Sequence, residues 1–204
     1  MTVRSVNKQS YRKMCPRTRE QFELIRENKK EQILNAAIEC FGTRGYYSVT
    51  ISQLAKHAGI SKGLLYNYFS SKEDLLKHIF HSIMKDFTGF LDPDENGILE
   101  KQDLLEYFDN LFDFLDKNIP LGKMYMSIFS QPSVQEILNE EILAASVQPL
   151  GLIKNYFESN GYKDPELEVA FLSTLFTGMM SEYLMDPERY PLEKIKNRIK
   201  DFYN

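Results

Sequence analysis

Apolar residues recur along this chain at the spacing of helix faces, and they predict helices almost throughout. The first stripe repeats at i, i+3, i+4, i+7 and i+8, and it consists of Ile33, Ala36, Ala37, Cys40 and Phe41. Gly45 comes soon after it, where glycine often ends a helix. A longer stripe runs from Leu76 to Leu91, and another from Leu104 to Leu115.

The second half of the chain continues in the same pattern. A short apolar segment, residues 124–129, lies between two prolines, and residues 134–159 and 165–185 form two long predicted helices. A last short helix is predicted at residues 192–202. Because no segment alternates convincingly with the period of two that a half-buried strand needs, we expect an all-α fold of about nine helices.

Hydroxyl residues mark two helix starts close together near the N-terminal end. Thr50 is followed three residues later by Gln53, as a capping box requires, so a helix should begin there. Gly59 permits a sharp turn, and Ser61 is placed to cap a second helix over residues 62–69. Two short helices that cross around a glycine turn form a helix-turn-helix.

The second of these helices carries side chains suited to DNA. Its period turns Leu65 and Phe69 inward and leaves six residues near the outer surface, namely Lys62, Gly63, Leu64, Tyr66, Asn67 and Tyr68. Lysine meets phosphate or a guanine edge, asparagine pairs with adenine, and a tyrosine hydroxyl donates to phosphate. Lys72, at the start of the next helix, is placed to contact the flanking DNA backbone. The alternative is a small three-helix unit whose tyrosines simply pack.

Charge is divided unevenly along the chain, whose overall net charge is −4. Residues 1–78 hold 14 Lys+Arg and 7 Asp+Glu, a net charge of +7, and residues 79–204 have a net charge of −11. A basic first third joined to an acidic remainder is typical of a protein whose N-terminal end binds a polyanion. A basic end that is merely solvated is the alternative.

The stretch from residue 29 to residue 80 resembles the DNA-binding domain of TetR-family transcriptional regulators. The resemblance runs without a gap through ILNAAIECFGTRGYYSVTISQLAKHAGISKGLLYNYFSSKEDLL. It implies a ligand-responsive transcriptional regulator, most simply a repressor that a small-molecule effector releases from a palindromic operator in double-stranded DNA. It also implies a homodimer whose recognition helices lie about 34–36 Å apart, so that they meet successive major grooves.

The resemblance also assigns domains and roles to positions. Residues 1–28 would be a basic N-terminal arm or extension, residues 29–75 the helix-turn-helix domain, and residues 76–204 a helical effector-binding and dimerisation domain. Thr50 resembles the residue that starts the scaffold helix beside the DNA backbone. Positions that approach bases are held by Lys62, Gly63, Leu64 and Asn67, and positions near phosphates by Tyr66, Tyr68 and Lys72.

The acidic domain offers a predicted dimer surface and a predicted cavity. Small and apolar side chains between Ala170 and Ser181 let helices approach closely, so we expect the dimer to form along residues 145–160 and 165–185; packing within the monomer is the alternative. Aromatic and methionine residues are the candidates for the effector cavity, namely Phe108, Phe112, Tyr125, Met126, Phe129 and Tyr156. The same side chains also fill helical cores.

One loop permits a different function. Residues 92–103, DPDENGILEKQD, match the spacing of an EF-hand calcium loop, with Asp92, Asp94 and Asn96 as side-chain ligands. Position twelve is Asp103 rather than the bidentate glutamate, and no second hand follows. A calcium-binding helical module is therefore the alternative function.

Other classes of protein find little support in the sequence. It contains no G-x-S-x-G, P-loop, H-E-x-x-H or dinucleotide-binding glycine motif, so we expect no enzymatic activity and no cofactor. His78 and His81 share a helix face with Asp74, but a solvated or pairing face is a simpler interpretation than a zinc site, and we assign no metal. No apolar run is long enough to span a bilayer and no signal peptide is recognisable, which predicts a cytoplasmic protein without a membrane partner.

Overall fold

The computed structural model describes residues 18–92 and 94–203, apart from the side chain of Phe129, and this part of the chain is helical without a strand. The helices are α1 (Arg19–Arg44), α2 (Ile51–His57), α3 (Lys62–Tyr66), α4 (Lys72–Leu91), α5 (Lys101–Lys117), α6 (Ile119–Ser130), α7 (Pro132–Ile137), α8 (Asn139–Ser159), α9 (Pro165–Met185) and α10 (Leu192–Tyr203). The all-α prediction is confirmed. The described residues form ten helices rather than about nine, because the helix predicted over residues 134–159 is divided at Leu138.

Helix α1 is longer than its buried part. It begins at a capping box between Thr18 and Gln21, and it ends at Gly45, whose φ of 77° suits a residue without a Cβ atom. Burial begins at Ile33, the first residue of the predicted stripe. The turns before Ile33 are largely exposed, and they include Phe22. Part of the predicted extension is therefore helical, while residues 1–17 lie outside the described residues.

Helices α2 and α3 meet at the predicted glycine turn. Thr50 and Gln53 form the predicted capping box at the start of α2, and Gly59 has a φ of 63° between the two helices. Ser61 caps α3 by accepting a hydrogen bond from the backbone N–H of Leu64 at 3.1 Å. The two caps and the glycine turn together connect α2 and α3 within a few residues.

Helix α3 is shorter than predicted, since it ends at Tyr66 rather than near Phe69. The N–H groups of Asn67 and Tyr68 bond to carbonyls three residues back, at 3.1 and 3.0 Å, which tightens the last turn. The tightened turn directs Phe69 into the core, where its side chain is fully buried. The end of α3 thus coincides with the burial of this ring.

Helices α5, α6 and α8 pack on α4, and the buried residues of the C-terminal helices form one continuous apolar core with those of the N-terminal unit. Helices α8 and α9 lie side by side, and α10 packs on α5. Lys196 of α10 is buried, with its Nζ atom 3.0 Å from Asp109 of α5 and 2.6 Å from Glu193. Within the described residues, no helix combines the length and the apolar character needed to cross a bilayer.

Helices α1 and α6 approach closely at Gly42. A Cβ atom at this position would lie only 2.6 Å from the carbonyl oxygen of Pro120, so the two backbones are in contact there. A second link runs from the α1–α2 loop to the start of α7, where the Tyr47 hydroxyl donates to the carbonyl of Ser133. The N-terminal helices are thus joined to the rest of the molecule by direct backbone contacts as well as through α4.

Candidate DNA-binding surface and effector cavity

The tip of α3 presents most of its predicted DNA-binding residues to solvent. Lys62, Gly63 and Asn67 are exposed, and the Tyr66 side chain is 46% exposed. The Lys62 ammonium lies 5.8 Å from the centre of the Tyr66 ring, so these two side chains share one surface. Leu65, between them in the chain, is fully buried and anchors the helix from below.

Three further predicted residues differ in exposure. Thr50 is exposed, but its hydroxyl already caps α2 and contacts the Gln53 side chain at 3.0 Å. Leu64 and Tyr68 are half-buried, and Tyr68 packs against the apolar core. These three positions therefore support the shape of the surface as well as bordering it, and their contacts with DNA stay predictions.

Lys72 has partners that the sequence did not indicate. Its ammonium donates to the carbonyls of Tyr46 at 3.0 Å and Val49 at 3.1 Å, and it lies 4.0 Å from the centre of the Tyr46 ring. Burial lowers the pKa of Lys72, partly offset by the charge of Glu73. Lys72 thus ties the start of α4 to the α1–α2 loop, and a contact with the DNA backbone remains a prediction.

A cavity of about 280 Å³ lies among five helices of the C-terminal part. Its walls are mostly aliphatic and aromatic, and they come from α4, α5, α6, α8 and α9. The larger lining side chains are Phe80, Met84, Phe87, Tyr107, Phe108, Tyr125, Met126, Leu150, Ile153 and Phe176. A partly open apolar space with few polar groups is typical of a small-molecule site.

Half of the predicted effector residues lie at this cavity. Phe108, Tyr125 and Met126 line it. The predictions for Phe112 and Tyr156 are not matched by the geometry, because both side chains are buried elsewhere in the core, Phe112 against Tyr183 with ring centres 5.4 Å apart. The side chain of Phe129 lies outside the described part of the structure.

Aromatic rings that the sequence analysis did not select form one wall of the cavity. Phe87 lies 5.1 Å from Tyr125 and 6.1 Å from Phe176 between ring centres, and Tyr107 lies 6.3 Å from Phe176. Burial raises the pKa values of Tyr107 and Tyr125, so both phenols stay neutral. Phe87 belongs to the predicted stripe of α4, but nothing in the pattern distinguished it from a core residue.

The loop at residues 92–103 uses its side-chain oxygens to hold its own backbone. Asp92 is buried and accepts hydrogen bonds from the N–H groups of Asn96 and Gly97, both at 3.1 Å. Asp103 accepts from the N–H of Glu100 at 2.9 Å and caps α5. The described residues contain no cluster of three or more metal-binding side chains. The alternative of a calcium-binding module is therefore not supported.

The two histidines of the predicted pairing face have different surroundings. His78 Nδ1 is 3.2 Å from a carboxylate oxygen of Asp74, while His81 borders a separate groove on α4. Burial acts to raise the pKa of Asp74, but hydrogen bonds from Ser70 and the charge of His78 bring it below its usual value. The simpler interpretation, a pairing face, fits these contacts.

Helices α8 and α9 present an apolar outer surface. Leu143, Val147 and Leu150 follow one another along α8 with exposed fractions of 60%, 73% and 41%. On α9 the exposed residues include many of the predicted seam, namely Ala170, Phe171, Thr174, Thr177 and Gly178. Leu150, together with exposed Ser173 and Thr177, also lines the cavity, so the cavity wall and this surface share residues.

A protein-family model matches the segment that contains the helix-turn-helix. The model describes bacterial regulatory proteins of the tetR family, and it matches residues 33–79. This range runs from the first buried residue of α1 into α4, and it includes the whole exposed tip of α3.

Individual proteins match over most of the chain. The fatty acid metabolism regulator protein of Bacillus subtilis (strain 168) is 27% identical over 179 residues, covering 84% of this chain and 91% of the relative. A structure of the transcriptional regulator FadR from Bacillus subtilis in complex with stearoyl-CoA matches with a TM-score of 0.66 and 22% identity over 85% of this chain and 96% of that one. A complex of SmeT with triclosan matches with a TM-score of 0.70 and 22% identity over 86% and 90%. Both structures have the fold of this chain.

Proposed function

The chain belongs to the TetR family of bacterial transcriptional regulators, and we propose that it is a dimeric repressor that a small-molecule effector releases from a palindromic operator. A repressor of this kind acts in the cytoplasm, where the bacterial chromosome lies. The effector occupies the cavity among α4, α5, α6, α8 and α9, and the operator meets the tip of α3.

The exposed tip of α3 is the observation that carries this proposal. Lys62, Tyr66 and Asn67 are free to enter a groove, while Leu65 and Phe69 hold the helix in the core. The major groove is about 12 Å wide and admits one helix, so a short recognition helix is sufficient. The positive charge of residues 1–78 favours the same partner, because phosphate contacts supply much of the affinity for DNA.

The apolar surface of α8 and α9 supports the dimer. Leu143, Val147 and Leu150 form a continuous exposed stripe, and contiguous apolar surface of this kind marks protein–protein contacts. A second copy that packs its own α8 and α9 against the stripe forms a four-helix seam. Two recognition helices per assembly then read two half-sites.

The position of the cavity supports control by an effector. Its walls come from α4 and α6, and these same helices contact α1 of the DNA-binding unit. A ligand that stabilises one arrangement of these helices changes the separation of the recognition helices, and so changes operator affinity. Relatives whose structures carry stearoyl-CoA or triclosan are consistent with an apolar ligand in this place.

Selection of bound duplexes from a random DNA pool tests the proposal. The purified full chain should enrich a palindrome whose half-sites are centred about 10 base pairs, or a multiple of this, apart. Affinity for the enriched duplex, measured by fluorescence anisotropy, should fall steeply as salt rises. Failure to enrich any symmetric sequence would contradict the proposal.

Paired variants test which residues carry the contact. We expect Lys62→Ala with Asn67→Ala to weaken operator binding by about tenfold or more, and to reduce the salt slope by about 1. Lys163→Ala, in the exposed segment between α8 and α9, is the matched control and should leave both quantities unchanged. Equal operator affinity in the double variant and the control would show that α3 does not contact the operator.

A further inference from the structure

We propose that the effector of this regulator is an uncharged, mainly apolar molecule of about 11 carbon atoms, with one polar group that hydrogen-bonds to the Tyr107 hydroxyl. This inference rests on the proposed function, since it gives the chemical class of the ligand for the cavity described above. It depends on the charge, the free hydrogen-bonding capacity and the volume of that cavity.

The cavity contains no counter-charge for an ionic ligand. None of the residues that line it in the described part of the structure is Asp, Glu, Lys, Arg or His. Transfer of a carboxylate or an ammonium group from water into such a space is strongly unfavourable unless an opposite charge compensates it. An ionised head group inside the cavity is therefore strongly disfavoured.

Three of the six hydroxyl groups at the cavity, those of Ser146, Ser173 and Thr177, are already used within their own helices. Ser146 donates to the carbonyl of Leu143, Ser173 donates to that of Val169, and Thr177 donates to that of Ser173, with distances of 2.8–2.9 Å. The single O–H donor of each of these hydroxyls is already used, so each can only accept a hydrogen bond from a ligand.

Tyr107 is a polar group of the cavity that remains available for a ligand. Its side chain lines the cavity, and its hydroxyl makes no hydrogen bond to another residue in the described part of the chain. Tyr107 is half-buried, and its hydroxyl faces a mainly apolar space, so a ligand atom that accepts or donates one hydrogen bond there gains affinity. Because the phenol is neutral and can do either, an alcohol, ketone, ester or phenol group fits, and a charged group does not.

The volume limits the size of the ligand. A closed apolar cavity of about 150 Å³ holds a benzene molecule, so a cavity of about 280 Å³ holds about 11 carbon atoms on the same scale. A stearoyl chain, with about 18 carbons, exceeds this space on the same scale, so part of it would have to extend out past Leu150, Ser173 and Thr177 or push the walls apart. The cavity therefore favours a medium-length chain or a compact ring system.

The surroundings of the cavity do not favour a polyphosphate head group either. A groove that shares Met84 and Thr88 with the cavity carries Asp92 and Glu95 besides Lys85 and His81. Carboxylates beside the phosphates of a ligand make its binding less favourable, because like charges repel each other. A ligand that places several phosphates in this groove meets no cluster of cations there.

Calorimetric titration of the full chain with ligands that share one decyl chain tests the proposed charge. We expect 1-decanol to bind at least about thirtyfold more tightly than decanoate and decyltrimethylammonium, because only the alcohol enters without an uncompensated charge. Stearoyl-CoA should bind more weakly than 1-decanol. Equal or tighter binding of decanoate, of the ammonium compound or of stearoyl-CoA would overturn the inference.

A series of alcohols tests the volume. Affinity should rise by about fourfold for each added CH₂ group while the chain is being buried, and it should stop rising at about 11 carbons. A rise that continues unchanged through 1-tetradecanol would overturn the size limit.

Tyr107→Phe tests the hydrogen bond while keeping the ring. The substitution should lower the affinity for 1-decanol by about fivefold, which is the effect of losing one hydrogen bond. Tyr190→Phe, which removes a phenol hydroxyl outside the cavity, is the matched control and should bind 1-decanol as the parent chain does. Equal affinity of the two variants would show that Tyr107 does not recognise the ligand.

Operator binding separates this inference from the proposed function. Release of the selected duplex by 1-decanol, followed by anisotropy, should occur over the concentrations at which calorimetry detects binding. A chain that binds the duplex but prefers decanoate overturns the ligand class and leaves the regulator intact. A chain that binds no duplex contradicts the proposed function, whatever the calorimetry shows.

Discussion

The hydroxyl of Tyr47 donates a hydrogen bond to the main-chain carbonyl of Ser133 at 3.0 Å, across 86 positions of the chain. Tyr47 belongs to the loop between α1 and α2, and Ser133 lies at the start of α7. This contact joins the helix-turn-helix unit to a segment next to α6, which lines the cavity. The link therefore lies between the proposed DNA-binding surface and the proposed effector cavity.

Removal of this hydrogen bond should weaken the junction slightly. Tyr47→Phe should lower the free energy of unfolding by about 1 kcal/mol, which corresponds to about 3 °C in the melting temperature of a chain of this size. Tyr66→Phe removes a phenol hydroxyl from the exposed tip of α3, and it should melt as the parent chain does. Thermal unfolding followed by circular dichroism measures both; equal melting temperatures of the two variants would show that the Tyr47 contact is not formed in solution.

Close packing of α1 on α6 should make Gly42 intolerant of a side chain. The Cβ atom in Gly42→Ala would meet the Pro120 carbonyl oxygen at 2.6 Å, so the two backbones would have to separate at a cost of about 1–3 kcal/mol. Gly89→Ala is the matched control, because it also replaces a helical glycine but its Cβ atom meets nothing within 4 Å. The control should gain about 0.5–1 kcal/mol from helix propensity. Urea unfolding should therefore move the two variants in opposite directions, and a gain in both would contradict the close approach.

Two lysines of the DNA-binding unit should respond differently to the same substitution. Lys72→Met removes the side-chain donor of the Val49 carbonyl and one of the two donors of the Tyr46 carbonyl, so we expect a loss of about 1–3 kcal/mol in stability. Lys62→Met changes an exposed side chain, and its stability should stay within about 0.5 kcal/mol of the parent while operator affinity falls. Urea unfolding and anisotropy separate the two effects. Unchanged stability in Lys72→Met would mean that the two carbonyls do not hold this lysine, which could then contact the DNA backbone.

Asp109 should contribute stability above about pH 4 and lose it in acid. Burial acts to raise the pKa of Asp109, but hydrogen bonds from Lys200 and Lys196 outweigh it and bring the pKa below its usual value. A carboxyl with a depressed pKa in the folded state stabilises the fold above its unfolded pKa of about 4, and this contribution disappears as the pH falls through the folded pKa.

The charge-removing variant tests that pH dependence. Asp109→Asn should lose about 2 kcal/mol at pH 7, a value reduced because the Asp109 side chain is 36% exposed, and the difference from the parent should shrink below about pH 4. Glu23→Gln breaks the exposed Arg19–Glu23 pair on α1 and should change stability by less than about 0.5 kcal/mol at either pH. Urea unfolding between pH 3 and pH 7 measures both. A difference that grows in acid would contradict the assigned sign.

Helix starts were predictable from the sequence because a cap is a local interaction. Thr50 and Gln53 lie within one turn, so the capping box depends on nothing beyond those residues, and the same holds for Ser61. The end of α3 was less predictable, because Phe69 leaves the helix to reach a core built by α1 and α4. The end of α3 therefore depends on tertiary packing as well as on the cap of the next helix, where the Ser71 hydroxyl accepts from the N–H of Asp74.

The residues that line the cavity, in contrast, were not predictable from local patterns. Apolar periodicity marks Phe108 and Phe112 as equivalent residues of the inner face of α5, yet only Phe108 reaches the cavity. The difference depends on which helices lie opposite each turn, and that information is not local. The same limit applies to Lys72, whose position at a helix start indicates a free cation, while its two carbonyl partners lie more than 20 positions away.

The wall shared by the cavity and the α8–α9 surface has a consequence for how the regulator responds to its own abundance. Leu150, Ser173 and Thr177 are exposed in one subunit, and a second copy on that surface would cover them. If pairing alters ligand affinity by some factor, ligand must alter pairing by the same factor, because the coupling is reciprocal. Dose–response curves for the effector would then shift with protein concentration, so a cell that makes few copies and a cell that makes many would set different thresholds for the same signal.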